Sequence, residues 1–242
     1  MKIPQLPTLK QMLEAGVHFG HKKQYSDARG RDNFHSIRDK VVIINLEKTL
    51  VSLEKALKFL AQTAENGSTI LFVGTKTQVR NLVKEAAEET GMPHVTNRWL
   101  GGTLTNFETI EQNLKKLTRL EEDLNNPQVV KTKKEKTVLQ RTIERAKFNL
   151  GGVSSLKKLP EVLFVVDPVE EKLAVKEATT IGIPVVALLD TNANPRGIDY
   201  PIPANDDAPK ALEMIIGLVK ETVKDNYKAP VVEEKPTLTK EK

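Results

Sequence analysis

The amino-acid sequence predicts an α/β protein with a doubly wound parallel sheet and an inserted antiparallel helical hairpin. Short apolar runs rich in β-branched residues alternate with amphipathic stretches of helical spacing, a pattern typical of parallel sheets with right-handed crossovers. Residues 104–148 break this alternation, because they contain two helical patterns and no strand run. We therefore expect a globular α/β domain over residues 1–103 and 149–226, with an N-terminal extension at 1–40, a hairpin at 104–148 and a disordered tail at 227–242.

The strands are predicted from four apolar runs, at residues 41–46, 69–73, 162–166 and 185–189. Their continuous Val, Ile and Leu content is typical of strands that are buried on both faces. They are far shorter than the ~20 apolar residues that a membrane-spanning helix needs. The runs therefore indicate a buried sheet rather than membrane segments.

Helical stretches separate most of these runs. In the first stretch, apolar side chains recur at steps of three and four, which places them on one face, and Gly67 is expected to end the helix. Later stretches repeat the pattern, with Gly91 and Gly182 as terminators. The apolar faces are Leu50, Leu53, Leu57 and Leu60; Val79, Leu82, Val83 and Ala86; Val175 and Ala178; and Ala211, Ile215, Leu218 and Val219.

The hairpin is predicted from two further apolar seams. Thr105 and Glu108 have the spacing of a capping box at the start of its first helix, and the second helix is expected over residues 132–148. The seam residues are Phe107, Ile110, Leu114, Leu117 and Leu124 in the first helix, and Val138, Leu139, Thr142 and Ala146 in the second. The other faces are too charged to form a core, so the hairpin is expected to contact another molecule.

The charge distribution favours a polyanionic partner without identifying one. The formal net charge is +5, and residues 131–147 alone hold seven basic side chains against two acidic ones. A second basic stretch, residues 22–40, has six basic and three acidic side chains. Each stretch is interpreted either as a solvated face or as a nucleic-acid contact. The chain has no Cys, which excludes disulfides and fits a reducing cytoplasm.

A phosphate-binding loop is the first alternative raised by the motifs. Gly74 and Lys76 follow a predicted strand, but the glycine spacing of a Walker loop or a dinucleotide-binding turn is absent from the sequence. A plain strand-to-helix turn is therefore favoured, in which Lys76 can still contact a backbone phosphate. Asp167 and Asp190 end strands where α/β enzymes place catalytic groups, but no matching nucleophile or base accompanies them. We expect both to be structural.

Three other groups of residues could have a functional or a structural role. His18 and His21 share a helical spacing suited to a metal site, but neighbouring glycines argue against a helix there, so no metal is expected. Asp206 and Asp207 are expected to cap a helix that begins near Pro209. Arg98 and Trp99, the latter being the only Trp, are suited to stacking on bases or gripping phosphate, but Trp is also a common core residue.

Taken together, the motifs resemble the small-subunit ribosomal protein two family (uS2 type), bacterial form. The matching segments follow one another in order over most of the chain, and RWLGGTLTNF is the most specific. They are GVHFGH at 16–21, LEKT at 46–49, FVGTK at 72–76, RWLGGTLTNF at 98–107, LGG at 150–152, LPEVLFVVD at 159–167, KEA at 176–178, GIPVVALLDTN at 182–192 and IPANDDA at 202–208.

The resemblance implies a flavodoxin-like α/β domain with a coiled-coil hairpin, and a non-catalytic structural constituent of the ribosome. It implies a cytoplasmic, ribosome-bound protein that contacts small-subunit rRNA between head and body, lies beside other small-subunit proteins and helps recruit ribosomal protein one. No cofactor, metal, membrane or small-molecule substrate is expected. Candidate rRNA-binding residues are His18, His21, Lys22, Lys23, Arg29, Arg31, Lys76, Arg98, Trp99, Lys131, Lys133, Lys134, Lys136, Arg141 and Arg145.

Two departures from the family pattern concern local segments. Residues 25–34 replace a stretch that is usually Trp-Asn-Pro-Lys-Met, and Ala204 stands where the family usually has Gly. The first changes a loop that is expected to make contacts, and the second changes one turn. Two other functions also fit the sequence: an enzyme that binds a nucleotide or phosphorylated sugar near Gly74 and Asp190, and a hairpin scaffold that binds only protein.

Overall fold

The computed structural model of the protein describes residues 1–124 and 132–228. Within these ranges the helices are α1 (Leu9–Glu14), α2 (Leu46–Glu65), α3 (Arg80–Thr90), α4 (Phe107–Leu124), α5 (Lys133–Leu150), α6 (Lys172–Ile181) and α7 (Pro209–Asn226). The strands are β1 (Phe19–Lys22), β2 (Phe34–Arg38), β3 (Val41–Ile44), β4 (Ile70–Val73), β5 (His94–Val95), β6 (Val162–Val166), β7 (Val185–Leu189) and β8 (Tyr200–Pro203).

Five strands form one parallel sheet in the order β5-β4-β6-β7-β8. Counted along the chain, this order is 2-1-3-4-5, the order of flavodoxin-like doubly wound sheets. The predicted parallel α/β sheet is therefore confirmed. The strand order reverses between β4 and β6, so the loops that follow these two strands diverge at the carboxyl edge of the sheet.

The sheet separates two apolar cores, because successive side chains of each strand point to opposite faces. On one face Phe72 and Phe164 pack with α2, α3 and α7. On the other face Leu71 and Leu163 pack with α6 and with the sheet-proximal ends of α4 and α5. All side chains of β4, β6 and β7 are buried, as the continuous apolar runs predicted.

A strand, β3, lies within the apolar run predicted at 41–46. The prediction that this strand is buried on both faces, as part of the parallel sheet, is wrong. β3 pairs antiparallel with β1 and β2 in a separate three-stranded sheet. Val42 and Ile44 are buried while Val41 and Ile43 are half-buried, so only one face is fully covered. Leu46 begins α2, because the Asn45 side chain caps the amides of the first helical turn.

The predicted helix ends are confirmed at three glycines. Gly67, Gly91 and Gly182 follow α2, α3 and α6 with φ values of 68°, 67° and 77°, a left-handed conformation that glycine adopts without steric cost. The sequence did not reveal β5 and β8. β5 has two residues, and β8 contains Pro201 and Pro203, which an edge strand tolerates.

Helices α4 and α5 occupy most of the segment predicted as a hairpin, and they pack against each other. The second helix is capped by a box between Thr132 and Glu135. The capping box expected at Thr105 is wrong, because its amide and hydroxyl hydrogens are directed to Glu177. The α5 seam also differs, since Val138 and Thr142 are exposed whereas Ile143 is buried. Residues 125–131, which include the candidate Lys131, and residues 229–242, which fall in the segment predicted to be disordered, lie outside the described residues.

Candidate functional site

Charged side chains from several segments meet at the carboxyl edge of the five-stranded sheet. Parallel strands all end at this edge, so residues far apart in the sequence become neighbours there. We call the group the acidic cluster. Its six members are His21 from β1, Lys76 after β4, Asp167 after β6, Asp190 after β7, and Asp206 and Asp207 after β8.

Lys76 lies at the centre of the acidic cluster. Its Nζ is 2.7 Å from Asp167 Oδ2, 2.8 Å from Asp206 Oδ1 and 3.0 Å from Asp207 Oδ1. Burial alone would lower the pKa of Lys76, but hydrogen bonds to Asp167 and Asp206 outweigh it and raise the pKa. Lys76 therefore stays charged and is an internal counterion.

Asp206 is the most buried carboxylate of the acidic cluster, with 0% of its surface exposed. Burial and the nearby charge of Asp167 raise the pKa of Asp206 to about 7, against the opposing effect of Lys76. Its Oδ1 accepts from Lys76, whereas Oδ2 has no hydrogen-bond partner among the described residues. Asp167 has a positive φ of 64°, and its Oδ1 accepts from the amides of Val169 and Glu170.

The predicted helix cap at Asp206 and Asp207 is wrong. Ala208 precedes α7 without a side-chain cap, and Asn205 Oδ1 accepts from the amides of Asp207 and Ala208. The two aspartates are thereby free to face Lys76. Ala204, one departure from the family pattern, is fully buried, and its amide donates to Leu189 O.

His21 reaches the acidic cluster because β1 lies directly on the end of β7. A Cβ added to Gly20 would be 2.5 Å from Thr191 Cγ2, so only glycine permits this approach. The His21 amide donates to Thr191 Oγ1 at 2.9 Å. His21 Nδ1 is 3.1 Å from Asp190 Oδ2 but lacks hydrogen-bond geometry, and Nε2 is 3.6 Å from Asp207 Oδ2. The Asp190 carboxylate raises the pKa of His21.

The position where related sheets receive phosphate is closed by the protein itself. The Thr75 amide, which follows β4 at the reversal of strand order, donates to Glu171 Oε1 at 2.7 Å. A carboxylate therefore stands where an anionic ligand would bind. The surrounding aspartates outnumber Lys76, so the local potential repels phosphate. The alternative of an enzyme for nucleotides or phosphorylated sugars is not supported by this geometry.

Glu177 of α6 organises the loop with the RWLGGTLTNF signature. Its Oε1 accepts from Trp99 Nε1 at 3.1 Å and from the Gly102 amide at 2.8 Å. Its Oε2 accepts from the Leu104 amide at 3.0 Å, the Thr105 amide at 3.1 Å and the Thr105 hydroxyl at 3.2 Å. Burial would raise the pKa of Glu177, but these hydrogen bonds outweigh it and lower the pKa. One carboxylate thus fixes the start of α4.

Arg98 and Trp99 are both candidates for contact with RNA, but they lie in different environments. Trp99 is 8% exposed and its N–H is bonded to Glu177, so it anchors the junction between sheet and helices and does not present its ring to solvent. Arg98 is exposed. At the other side of the junction, a Cβ on Gly152 would collide with the backbone oxygen of His94, which explains the second glycine of LGG.

The remaining candidates form two exposed basic surfaces. On the N-terminal one Arg29 is paired with Asp27, and hydrogen bonds from Arg29 lower the pKa of that carboxyl to about 2. His18 is half-buried there. The exposed members are Lys22, Lys23, Arg29 and Arg31; on α5, which carries the second surface, they are Lys133, Lys134, Lys136, Arg141 and Arg145.

Sequence reasoning missed the roles of Glu177 and Asp206. Glu177 lies between Ala174 and Ala178 on the buried face of α6, and a charged residue at such a position was the available signal. Asp206 follows a strand at the same edge as Asp167 and Asp190, but β8 had not been recognised. In the described part of the chain, no helix is long and apolar enough to cross a membrane.

Comparison with known proteins gives a consistent match. The family model for "Ribosomal protein S2" matches residues 12–226. Similar relatives, each called "Small ribosomal subunit protein uS2", come from the Dugway 5J108-111, RSA 331 / Henzerling II and RSA 493 / Nine Mile phase I strains of Coxiella burnetii. Each is 46% identical over 220 residues, which cover 90% of this chain and 70% of the relative.

Proposed function

Because the chain belongs to the ribosomal protein S2 family, we propose that it is a structural constituent of the small ribosomal subunit that binds small-subunit rRNA through its exposed basic surfaces. Its relatives are named as small ribosomal subunit proteins, which supports a ribosome-bound, cytoplasmic role in translation. Family membership also makes the chain a non-enzymatic protein. The buried charges at the sheet edge then have a structural purpose.

The exposed side of α5 is the observation that carries the proposal. Lys134, Arg141 and Arg145 recur at steps of seven and four, which places them on one helical face. All three are exposed. Val138 and Phe148, each 58% exposed, share this face. A basic face with interspersed apolar side chains is suited to RNA, whose phosphates attract the cations while its sugars and bases contact the apolar groups.

A docking experiment tests the proposed rRNA interface. The triple variant Lys134→Glu, Arg141→Glu, Arg145→Glu, which reverses the three exposed cations of this face, is compared with the wild type for binding to small subunits that lack this protein. Each lost phosphate contact is expected to flatten the dependence of log affinity on log salt by roughly 0.7 to 0.9. Binding should therefore weaken at low salt, and the slope should fall by about 2 to 3.

The matched control reverses three exposed lysines outside the proposed surfaces, Lys55, Lys157 and Lys210. This control changes the net charge equally, so it separates local contacts from general attraction. Equal slopes for the test variant, the control and the wild type would exclude α5 from the interface. Docking that survives removal of all accessible rRNA would instead favour a scaffold that binds only protein.

We further propose that residues 104–148 form an antiparallel coiled-coil hairpin that projects from the α/β domain. The ion pair between Lys147 and Glu121, at 2.6 Å, and the buried Leu117 and Ile143 support packing of the two helices. The resemblance to the family also supports a location between the head and body of the small subunit, and a role in recruiting ribosomal protein one.

A variant with a short Gly linker in place of residues 112–145 tests the proposed hairpin. The variant should keep a folded sheet domain but dock poorly on the small subunit; unchanged docking would contradict the proposal.

A further inference from the structure

We propose that His21, Asp190 and Asp206 form a binding site for one zinc-type divalent cation. The candidate ligand atoms all lie within 4.8 Å of one another. At the usual zinc–ligand lengths, the ligands of a tetrahedral site are about 3.4 Å apart. The 3.1 Å between His21 Nδ1 and Asp190 Oδ2 is already close to that separation. Since no pair of ligand atoms is more than 4.8 Å apart, the other distances need to shorten by at most about 1.4 Å.

Two buried polar atoms of this group have no hydrogen-bond partner within residues 1–124 and 132–228. Asp206 Oδ2 is one, and Asp206 is fully buried. His21 Nδ1 is the other, because its approach to Asp190 lacks hydrogen-bond geometry. Buried polar atoms are normally satisfied by protein, water or an ion. A cation between these atoms would satisfy both at once.

The second coordination shell is also arranged for a metal. If Nδ1 binds the ion, the ring hydrogen is on Nε2, which lies 3.6 Å from Asp207 Oδ2. A carboxylate behind a ligating histidine is the usual partner that fixes its tautomer. Lys76 holds Asp206 through Oδ1 and leaves Oδ2 for the ion. Asp207 thus orients His21, and Lys76 orients Asp206.

The electrostatic balance favours a divalent ion. The acidic cluster contains Asp167, Asp190, Asp206 and Asp207 but a single fixed cation, Lys76, so the ionised cluster carries a net negative charge. The mixed nitrogen and oxygen ligands suit zinc and related transition metals, whereas calcium prefers six to eight oxygens and magnesium retains several waters. Three protein ligands leave a fourth position for water.

The inferred ion would fasten the N-terminal sheet to the parallel sheet. His21 comes from β1, whereas Asp190 and Asp206 follow β7 and β8. Ligands from three separated segments bring the three-stranded sheet and the five-stranded sheet together at one atom. The role is therefore structural, and it does not depend on the proposed rRNA contacts.

Calorimetric titration of the full, chelator-stripped chain with zinc chloride tests the site, without any RNA present. We expect one zinc per chain and a rise in Tm with zinc, because an ion that binds only the native state stabilises it. His21→Gln and Asp206→Asn should each weaken binding by at least roughly 100-fold, and Asp207→Asn by roughly 10- to 100-fold. Magnesium chloride should bind far more weakly.

The controls are His18→Gln and His35→Gln, which remove imidazoles outside the ligand set and should leave zinc affinity unchanged. If a ligand variant is poorly folded, the absorption spectrum of cobalt bound to the wild type gives a second readout, since four-coordinate cobalt absorbs much more strongly than six-coordinate cobalt. The inference is overturned if the wild type takes up no zinc, if His21→Gln binds it as tightly as the wild type, or if cobalt is six-coordinate.

Discussion

The replacement Glu177→Gln should strongly destabilise the junction between the sheet and α4. Glu177 accepts five hydrogen bonds, from Trp99, Gly102, Leu104 and twice from Thr105. Glutamine keeps one acceptor oxygen. Its NH2 group replaces the other oxygen and cannot accept a hydrogen bond from the N–H groups that it would face. Hydrogen bonds to charged groups contribute about 1.5 to 3 kcal/mol each. Because the lost bonds share one charge, we expect a total cost of about 3 to 5 kcal/mol.

Urea unfolding monitored by two probes measures this cost. Circular dichroism reports the whole fold, whereas fluorescence reports Trp99 alone, since it is the only Trp. In the variant the fluorescence transition should shift to lower urea and precede the dichroism transition. Glu170→Gln, an exposed carboxylate just before α6, is the matched control and should change stability by less than about 0.5 kcal/mol.

The pH dependence follows from the lowered pKa of Glu177. A folded-state pKa below the unfolded value means that the ionised carboxylate stabilises the native state above the ordinary Glu pKa of about 4.3. This contribution is lost as the pH falls through the folded-state pKa. The stability difference between wild type and Glu177→Gln should therefore shrink on acidification. A cost below about 1 kcal/mol at neutral pH, with unchanged Trp99 emission, would refute the reasoning.

Two further replacements test the acidic cluster in the presence of chelator. Lys76→Met should cost about 3 to 5 kcal/mol in urea unfolding, because it leaves Asp167 and Asp206 without their counterion; a cost near zero would show that Lys76 is not needed as a counterion. Gly20→Ala should cost about 1 to 3 kcal/mol and lower Tm by several degrees, because its Cβ would meet Thr191 at 2.5 Å. A Tm equal to that of Gly151→Ala, where the added Cβ meets nothing within 4 Å, would contradict the second prediction.

The elements that could be predicted are those determined by local sequence. Glycines at helix ends and continuous apolar runs identified α2, α3, α6, β4, β6 and β7. The burial of β3 on both faces was mispredicted from residues 41–44. Four consecutive apolar residues show no alternation, so they do not distinguish a strand that is buried on both faces from one that is buried on one face. The α5 seam was predicted only in part for a similar reason, since Leu139 and Ala146 are half-buried but Val138 and Thr142 are exposed. Thr142 fits a helical spacing as well as the buried Ile143 does.

The acidic cluster could not be predicted, since it depends on long-range neighbours. Lys76 and Asp206 are separated by 130 positions, and Asp206 reaches the sheet edge only through β8, whose prolines concealed it. Glu177 and Trp99 are separated by 78 positions. The exposed basic residues, by contrast, could be identified from the local sequence, because their exposure does not depend on a contact with a distant part of the chain.

The acidic cluster also accounts for how a flavodoxin-like sheet serves a structural protein. Ligands of such sheets bind where the strand order reverses, outside the carboxyl ends of the strands. Here the Thr75 amide donates to Glu171, and Lys76 forms ion pairs with Asp167 and Asp206. The groups that could bind a phosphate are therefore already bonded to side chains of the protein. The positive charge available for RNA is then confined to exposed surfaces. Opening the sheet edge with Lys76→Met should consequently reduce stability without creating affinity for nucleotides, because the remaining carboxylates repel phosphate.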